Sequence, residues 1–523
     1  MAIYNIHDLR PWPNRMRRHA GIIFFACAGL YWLQFEILQL RTSNAPPYDA
    51  HIPATSYECI GQPDAPTRSC RFRHLVYSHR TREFLLVGQA PGQDTSWTVQ
   101  IGINSAMPFR ARHVNSWRPD CDNGVFCSIH HFPGVSLLSG AFLGNIGHAL
   151  FDGLYPSFMG LMDFNLSHAN FRTIMLYPSD ELDAATNVFQ LSVYKRASPY
   201  GLLFLNELTQ DVLFDELIFG DYMRCHWCVT TNQFRMEDGN GLQAFRQHMF
   251  QSYHLSPPKA WSVRAPSERL RGIVVWNKRF TKDDMSVLSV FLSRVNNETS
   301  VGQLTFDWMH WSDYTFERQL SVLSETFIYV SGPGTAIMNQ PFLPDGAAII
   351  ALGTYNAWEF QKHWYSPWFL DERQMAMHPG YMEQFMSAGV DYTHTLYYPL
   401  CDQLKRKQMG SLLDADILLD LVRDALQWIS SNHAEHAEDY RVNLSPDGKV
   451  VDELLKRDET FRAYYRDDKH HHDCGHSAFQ WPEMVVRRQG GWAEDSPFFF
   501  HKCKLNTSIL EAIKVEQDFA DEC

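Results

Sequence analysis

Residues Phe327 to Leu352 constrain this chain more than any other stretch. They read without interruption as strand, glycine turn, helix start and second strand. Phe327 to Val330 are the β-branched and aromatic residues of a parallel strand buried on both faces. Gly332 and Gly334 permit backbone geometries that other residues resist, and Ala336 to Asn339 can open a helix. Free N–H groups and the positive dipole end at a helix start attract anions, and a turn without side chains lets a diphosphate approach the backbone. An ordinary βαβ turn without a ligand accounts for the same glycines and stays open as the alternative.

Bulk properties set the frame around that run. A chain of 523 residues is too long for one ordinary core and predicts two lobes with appendages. Hydrophobic residues at 45% allow a large buried core, and a formal charge of -13 argues against nucleic acid as a partner. Near the N-terminus, Arg10, Arg15, Arg17 and Arg18 precede a mostly apolar run from Ala20 to Leu40. This reads as a single membrane-spanning signal anchor, with residues 1–19 cytosolic and the chain beyond about residue 41 lumenal. A cleaved signal peptide with Ala26, Cys27 and Ala28 as its small-residue site is the rival. Eleven cysteines include Cys27 in the apolar run, which leaves an even ten for an oxidising compartment. Cys59/Cys70, Cys121/Cys127 and Cys225/Cys228 are the local pairs expected. Sequons at Asn165, Asn297, Asn443 and Asn506 agree with a secretory route to the Golgi or endoplasmic reticulum membrane.

Two further stretches carry chemistry. Leu143 to Phe158 contains Asn145, His148 and Asp152, which fall at i, i+3 and i+7 of a helix and share one face, while Ile146, Ala149, Leu150, Leu154 and Phe158 form an apolar one. The alternative is a capping Asn145 with a helical His148 and Asp152 pair of little energetic weight. The strand Gly272 to Trp276 runs into Asn277, Lys278 and Arg279. Other strands are expected at Glu83 to Val87, Trp97 to Ile103, Phe171 to Tyr177, Val212 to Phe219 and around Gln303 to Asp307, with helices at Gly241 to Tyr253, from Ser312 and at Leu412 to Ile429. The fold class is therefore α/β.

Taken together, the run Ser331 to Ala347 resembles the C-terminal motif of glycosyltransferase family 61, in which a His-Gly-Ala-Gly-Leu-Thr-Asn type segment precedes a Phe-Leu-Pro element. Gly334, Asn339, Phe342, Leu343 and Pro344 match, whereas Pro333 stands at the family's histidine position. The Asn145, His148 and Asp152 pattern and the segment Cys59 to Tyr77 are also similar to that family, and Arg279, Glu317 and Gln319 echo its second lobe. The resemblance implies a GT-B architecture with two Rossmann-like lobes facing a cleft. It puts an acceptor-side lobe at 58–258 after a stem at 41–57, a nucleotide-sugar lobe at 259–430, and an extension at 431–523. It implies inverting transfer of a sugar from a nucleotide sugar, a UDP-sugar by expectation, to a hydroxyl of a protein or glycan. Catalysis would fall to His148 or Asp152 with Asn145 orienting, and nucleotide-sugar binding to Arg279, Ser331, Gly332, Gly334, Thr335 and Asn339. No cofactor is expected and no metal is expected to be essential. A noncatalytic glycan-binding or scaffold relative, suggested by Pro333, is the rival from another class. A hydrolase using the metal-ligating types in His470 to His476 is a third. Asp120 with Asp122 and Asp414 with Asp416 form short acidic repeats too common in an acidic chain to be read as ligands.

Overall fold

The computed structural model describes residues 52–60, 69–88, 95–100, 106–115, 117, 129–140, 146–176, 188–219, 241–260, 269–278, 280–298, 304–332, 336–352, 354–355, 376–377, 390, 392–399 and 413–431, with shorter pieces between 443 and 513. The anchor run, Cys121/Cys127, Cys225/Cys228 and the His470 to His476 cluster lie outside these residues. Among the described residues no helix is long and apolar enough to cross a membrane.

The chain is α/β and built on two large sheets. The first begins with five strands: β1 (Ser56–Ile60), β2 (Ser69–Ser78), β3 (Glu83–Val87), β4 (Thr95–Gln100) and β5 (Ala106–Val114). Four follow: β6 (His130–Ser139), β7 (Phe171–Met175), β8 (Leu202–Phe204) and β9 (Val212–Phe219). The parallel part has the spatial order β9-β6-β7-β8, and β2 joins its β9 edge antiparallel. Cys59 and Cys70, one of the local pairs expected, face each other in the β1–β2 register and are disulfide-bonded.

The second sheet is wholly parallel, with β10 (Leu270–Val275), β11 (Leu304–Met309), β12 (Thr326–Ser331) and β13 (Ala348–Ala351). Two short strands, β14 (Thr354–Tyr355) and β15 (Ala376–Met377), pair with each other, and β16 (His394–Tyr397) completes the sheet beside β13. Its order β11-β10-β12-β13-β16 is the doubly wound 2-1-3-4-5 arrangement. Strand β12 is buried at every residue, as a central parallel strand must be.

Helices reflect the local chemistry closely. The first, α1, is α-helical at Ile146–His148, π-helical at Ala149–Leu154 and α-helical again at Tyr155–Asp163. The simple i, i+3, i+7 spacing expected here is therefore corrected. Pro156 has no N–H and its ring would crowd the carbonyl four residues back, so the helix widens ahead of it. The Tyr194 hydroxyl donates to Ala149 O at 2.9 Å and the Ser157 hydroxyl to Gly153 O at 2.9 Å, using carbonyls of that run. The apolar face is as expected, since Ala149, Leu150, Leu154 and Phe158 are all buried.

Helices α2 (Val188–Ala197) and α3 (Gly241–Ser252) complete the first unit, and α4 (Lys282–Asn297) follows β10. Thr281 caps α4 through a reciprocal box with Asp284. Helix α5 (Phe316–Leu323) buries Phe316, Leu320 and Leu323, but its cap is Thr315 rather than the earlier Ser312, which lies in a short 3₁₀ turn. Asp414 caps α6 (Ala415–Ser430), which gives the second acidic repeat a structural role.

The two sheets share one apolar core. Phe245 of α3 lies 6.2 Å from Phe151, 5.2 Å from Tyr155, 5.7 Å from Phe158 and 6.3 Å from Phe342, centroid to centroid. Phe342 also meets Phe151 at 6.4 Å and Phe316 at 5.9 Å. These rings join elements that precede residue 260 to elements that follow residue 310.

Candidate functional site

Strand order alone selects one place in the second sheet. β10 continues through α4 to β11 on one side, while β12 continues to β13 on the other, so their carboxyl ends border the crevice where doubly wound sheets take ligands. The residues leaving β10 are Trp276, Asn277 and Lys278, and those leaving β12 are Ser331 and Gly332. The glycine-turn motif thus begins at the switch point.

Gly332 is there because the two exits touch. A β-carbon at Gly332 would sit 2.8 Å from Asn277 Nδ2 and 3.1 Å and 3.2 Å from two ring carbons of Phe280. The position therefore needs the missing side chain for close approach rather than for an unusual φ. Asn277 is itself buried.

Ser331 and Asn339 converge beneath this turn on the fully buried Tyr329. Burial pushes the Tyr329 phenol to a harder ionisation, opposed by side-chain hydrogen bonds with Trp311, Asn339 and Ser331. The phenol donates to Ala336 O and accepts from Trp311 Nε1 at 3.2 Å. Ser331 Oγ donates to Gly332 O at 2.9 Å. Both side chains are buried and do not face solvent. After the turn the expected helix is corrected to a 3₁₀ stretch, Ile337–Phe342, with Pro341 inside it. Pro341 removes a donor and Pro344 follows closely, so an α-helix cannot propagate. No α-helix dipole therefore follows the turn.

Beside the crevice stands a feature that the sequence did not single out. Trp276 is 37% exposed, a large aromatic left at a strand exit. Its ring lies 4.3 Å from the His310 ring at 31°, and Ser312 Oγ hydrogen-bonds His310 Nδ1. The two rings come from adjacent strand ends and make a flat edge suited to a planar group. A Trp directly after the apolar end of β10, Ile273 to Val275, was the available signal.

A second anchoring set holds the far end of the motif. Arg246 of α3 donates to Leu343 O at 2.8 Å and to Asp345 Oδ1 at 2.7 Å, and its guanidinium stacks 4.2 Å from the Tyr392 ring centroid. Tyr392 donates to Pro341 O at 2.7 Å. The segment Pro341 to Asp345 is thereby fixed from two sides, one being α3 of the first unit.

The sequence-derived set is thus partly assembled. Ser331 and Asn339 come together around Tyr329, and Gly332 lies against Asn277. His148 and Asp152 lie in α1, in its first α-helical run and its π-helical run, and the neighbouring Phe151 packs on Phe342 at 6.4 Å. Asn145, Arg279, Gly334 and Thr335 lie outside the described residues, as do the side chains of His148 and Asp152. Among the described residues no group of three or more His, Cys, Asp or Glu is arranged to hold a metal ion. No protein-family model matches this chain, and no curated protein matches it in sequence.

Proposed function

We propose that this chain is a glycosyltransferase of the GT-B kind that moves a sugar from a nucleotide sugar, a UDP-sugar by the family resemblance, to a hydroxyl of a protein or glycan with inversion. The observation that carries the reading is the meeting of the two stretches singled out by sequence. The helix bearing His148 and Asp152 packs through Phe151 against Phe342, at the end of the 3₁₀ stretch that follows the glycine turn. A donor and a base supplied from different sheets need that closeness, because direct displacement requires acceptor and donor carbon in one geometry. In this reading the turn N–H groups and Arg279 take the charge of the departing diphosphate, and the flat Trp276 and His310 edge takes the base. His148 or Asp152 removes the acceptor proton. The enzyme is held in the Golgi or endoplasmic reticulum membrane by residues 20–40, with the rest lumenal.

The test is a screen of nucleotide sugars for binding and hydrolysis by the purified protein. Turnover of one donor supports the reading, whereas UDP binding without any transfer supports the noncatalytic relative. Loss of turnover on chelation supports the metal hydrolase. Gly332→Ala gives a sharper check. Its β-carbon would sit 2.8 Å from Asn277, so Asn277 must move or the fold loses about 1–3 kcal/mol to overpacking. UDP affinity should fall about ten- to hundredfold, as titration calorimetry on protein of verified melting temperature would show. Unchanged affinity would put the nucleotide elsewhere.

A further inference from the structure

The sequence offers four equivalent Asn-x-Ser/Thr acceptors, and the structure makes them unequal. Asn443 is 3% exposed. Its Oδ1 accepts from Thr395 N at 3.0 Å and meets His394 Nδ1 at 3.2 Å, while its Nδ2 donates to Thr393 O at 3.1 Å and Val390 O at 3.4 Å. The nitrogen that would carry a sugar has both protons engaged inside the protein, beside β16. A glycan attached there before folding would leave four partners unsatisfied and hold this region open.

Asn165 is the opposite case. It is exposed, with φ of 57°, and closes α1. Asn165 N donates to Met162 O at 2.9 Å and Leu166 N to Leu161 O at 2.8 Å, the paired bonds of a Schellman closure. Leu166 packs against the core, and the Asn165 carboxamide has no hydrogen-bond partner among the described residues. Asparagine is one of the few side-chain-bearing residues that take this left-handed position readily. Asn297 is exposed, but its Nδ2 donates to Ser293 O at 2.7 Å. Asn506 uses its Oδ1 to accept from Ser508 N at 3.0 Å. Of the four, Asn165 combines an exposed backbone turn with an uncommitted carboxamide.

We propose that Asn165 is a site of N-linked glycosylation in the mature protein and that Asn443 is not, an inference that rests on the lumenal placement proposed above. The donor is a lipid-diphosphate oligosaccharide of the secretory membrane. A bond forms between Asn165 Nδ2 and the anomeric carbon, the bond from that carbon to the phosphate oxygen breaks, Nδ2 gives up one proton, and the lipid diphosphate leaves.

The experiment expresses the full chain in a eukaryotic secretory host and maps occupancy by peptide-N-glycosidase treatment in heavy-oxygen water and mass spectrometry. The Asn165 peptide is expected to carry the label and the Asn443 peptide none. Ser167→Ala, which removes the hydroxyl of the Asn-x-Ser pattern without altering the left-handed residue, is expected to lose one glycan's mobility step on a gel. Asn165→Asp serves as the second variant and keeps a side chain that tolerates the same turn. An unlabelled Asn165 with Asn297 or Asn506 labelled overturns the proposal while leaving the lumenal placement intact. No label at any sequon overturns both, and label at Asn443 in folded protein overturns the distinction drawn here.

Discussion

Asp152→Asn and His148→Ala are each expected to leave UDP affinity near that of the unaltered protein while cutting sugar transfer by about two to four orders of magnitude, the usual contribution of a positioned base. Both residues belong to α1, whereas the nucleotide contacts proposed here come from the strand exits of the second sheet. Imidazole has the better unperturbed pKa for the base, and a carboxylate would need raising. If one is the base and the other orients it, the double variant should lose little more than the worse single variant, because residues acting as a unit are not additive. Steady-state kinetics beside a UDP titration reads both quantities. Near-normal transfer by both single variants would remove this helix from the chemistry and leave His148 and Asp152 as an ordinary helical pair. Circular dichroism on each variant separates a lost base from a lost helix.

Phe245→Ala is expected to cost about 3–5 kcal/mol of stability, the range for deleting a fully buried aromatic. Phe245 has no exposed surface and touches Phe151, Tyr155 and Phe158 on one side and Phe342 on the other. Truncation leaves a cavity whose walls come from α1 and from the 3₁₀ stretch Ile337–Phe342, so relaxation of either alone cannot fill it. Denaturant unfolding should show the loss as a lower midpoint in a single transition. A cost under about 1 kcal/mol would mean that the rings repack and that the contact between the sheets is looser than their spacing implies.

Much of this fold was legible because its signals are local. Val212–Phe219 and Glu83–Val87 coincide with the strands read from β-branched and aromatic runs, and Phe316, Leu320 and Leu323 line the apolar face of α5 as their spacing predicts. Cys59 and Cys70 pair as neighbours in sequence with an antiparallel register between them. What sequence did not reveal depends on partners far along the chain or on small steric conflicts. The widened turn at Ala149–Leu154 follows from one ring at Pro156, and the 3₁₀ stretch after Gly332 from Pro341 inside it. The burial of Asn443 depends on backbone groups some fifty residues earlier. Within the site, Gly332 was legible as a turn glycine, but its reason, contact with Asn277, required the strand order. The Trp276 and His310 edge likewise exists only once β10 and β11 lie side by side.

The two lobes expected at 58–258 and 259–430 meet near residue 258, yet the aromatic cluster they share changes what a linker there permits. A hinge works when the surfaces it separates are polar enough to be wetted at each opening, whereas apolar contact of this kind resists relative motion. Swinging the two sheets apart would expose Phe245, Phe316 and Phe342 to water, at roughly 1.5–3 kcal/mol for each side chain fully exposed. In the transferase proposed above, substrate admission would therefore not rest on swinging the two sheets apart.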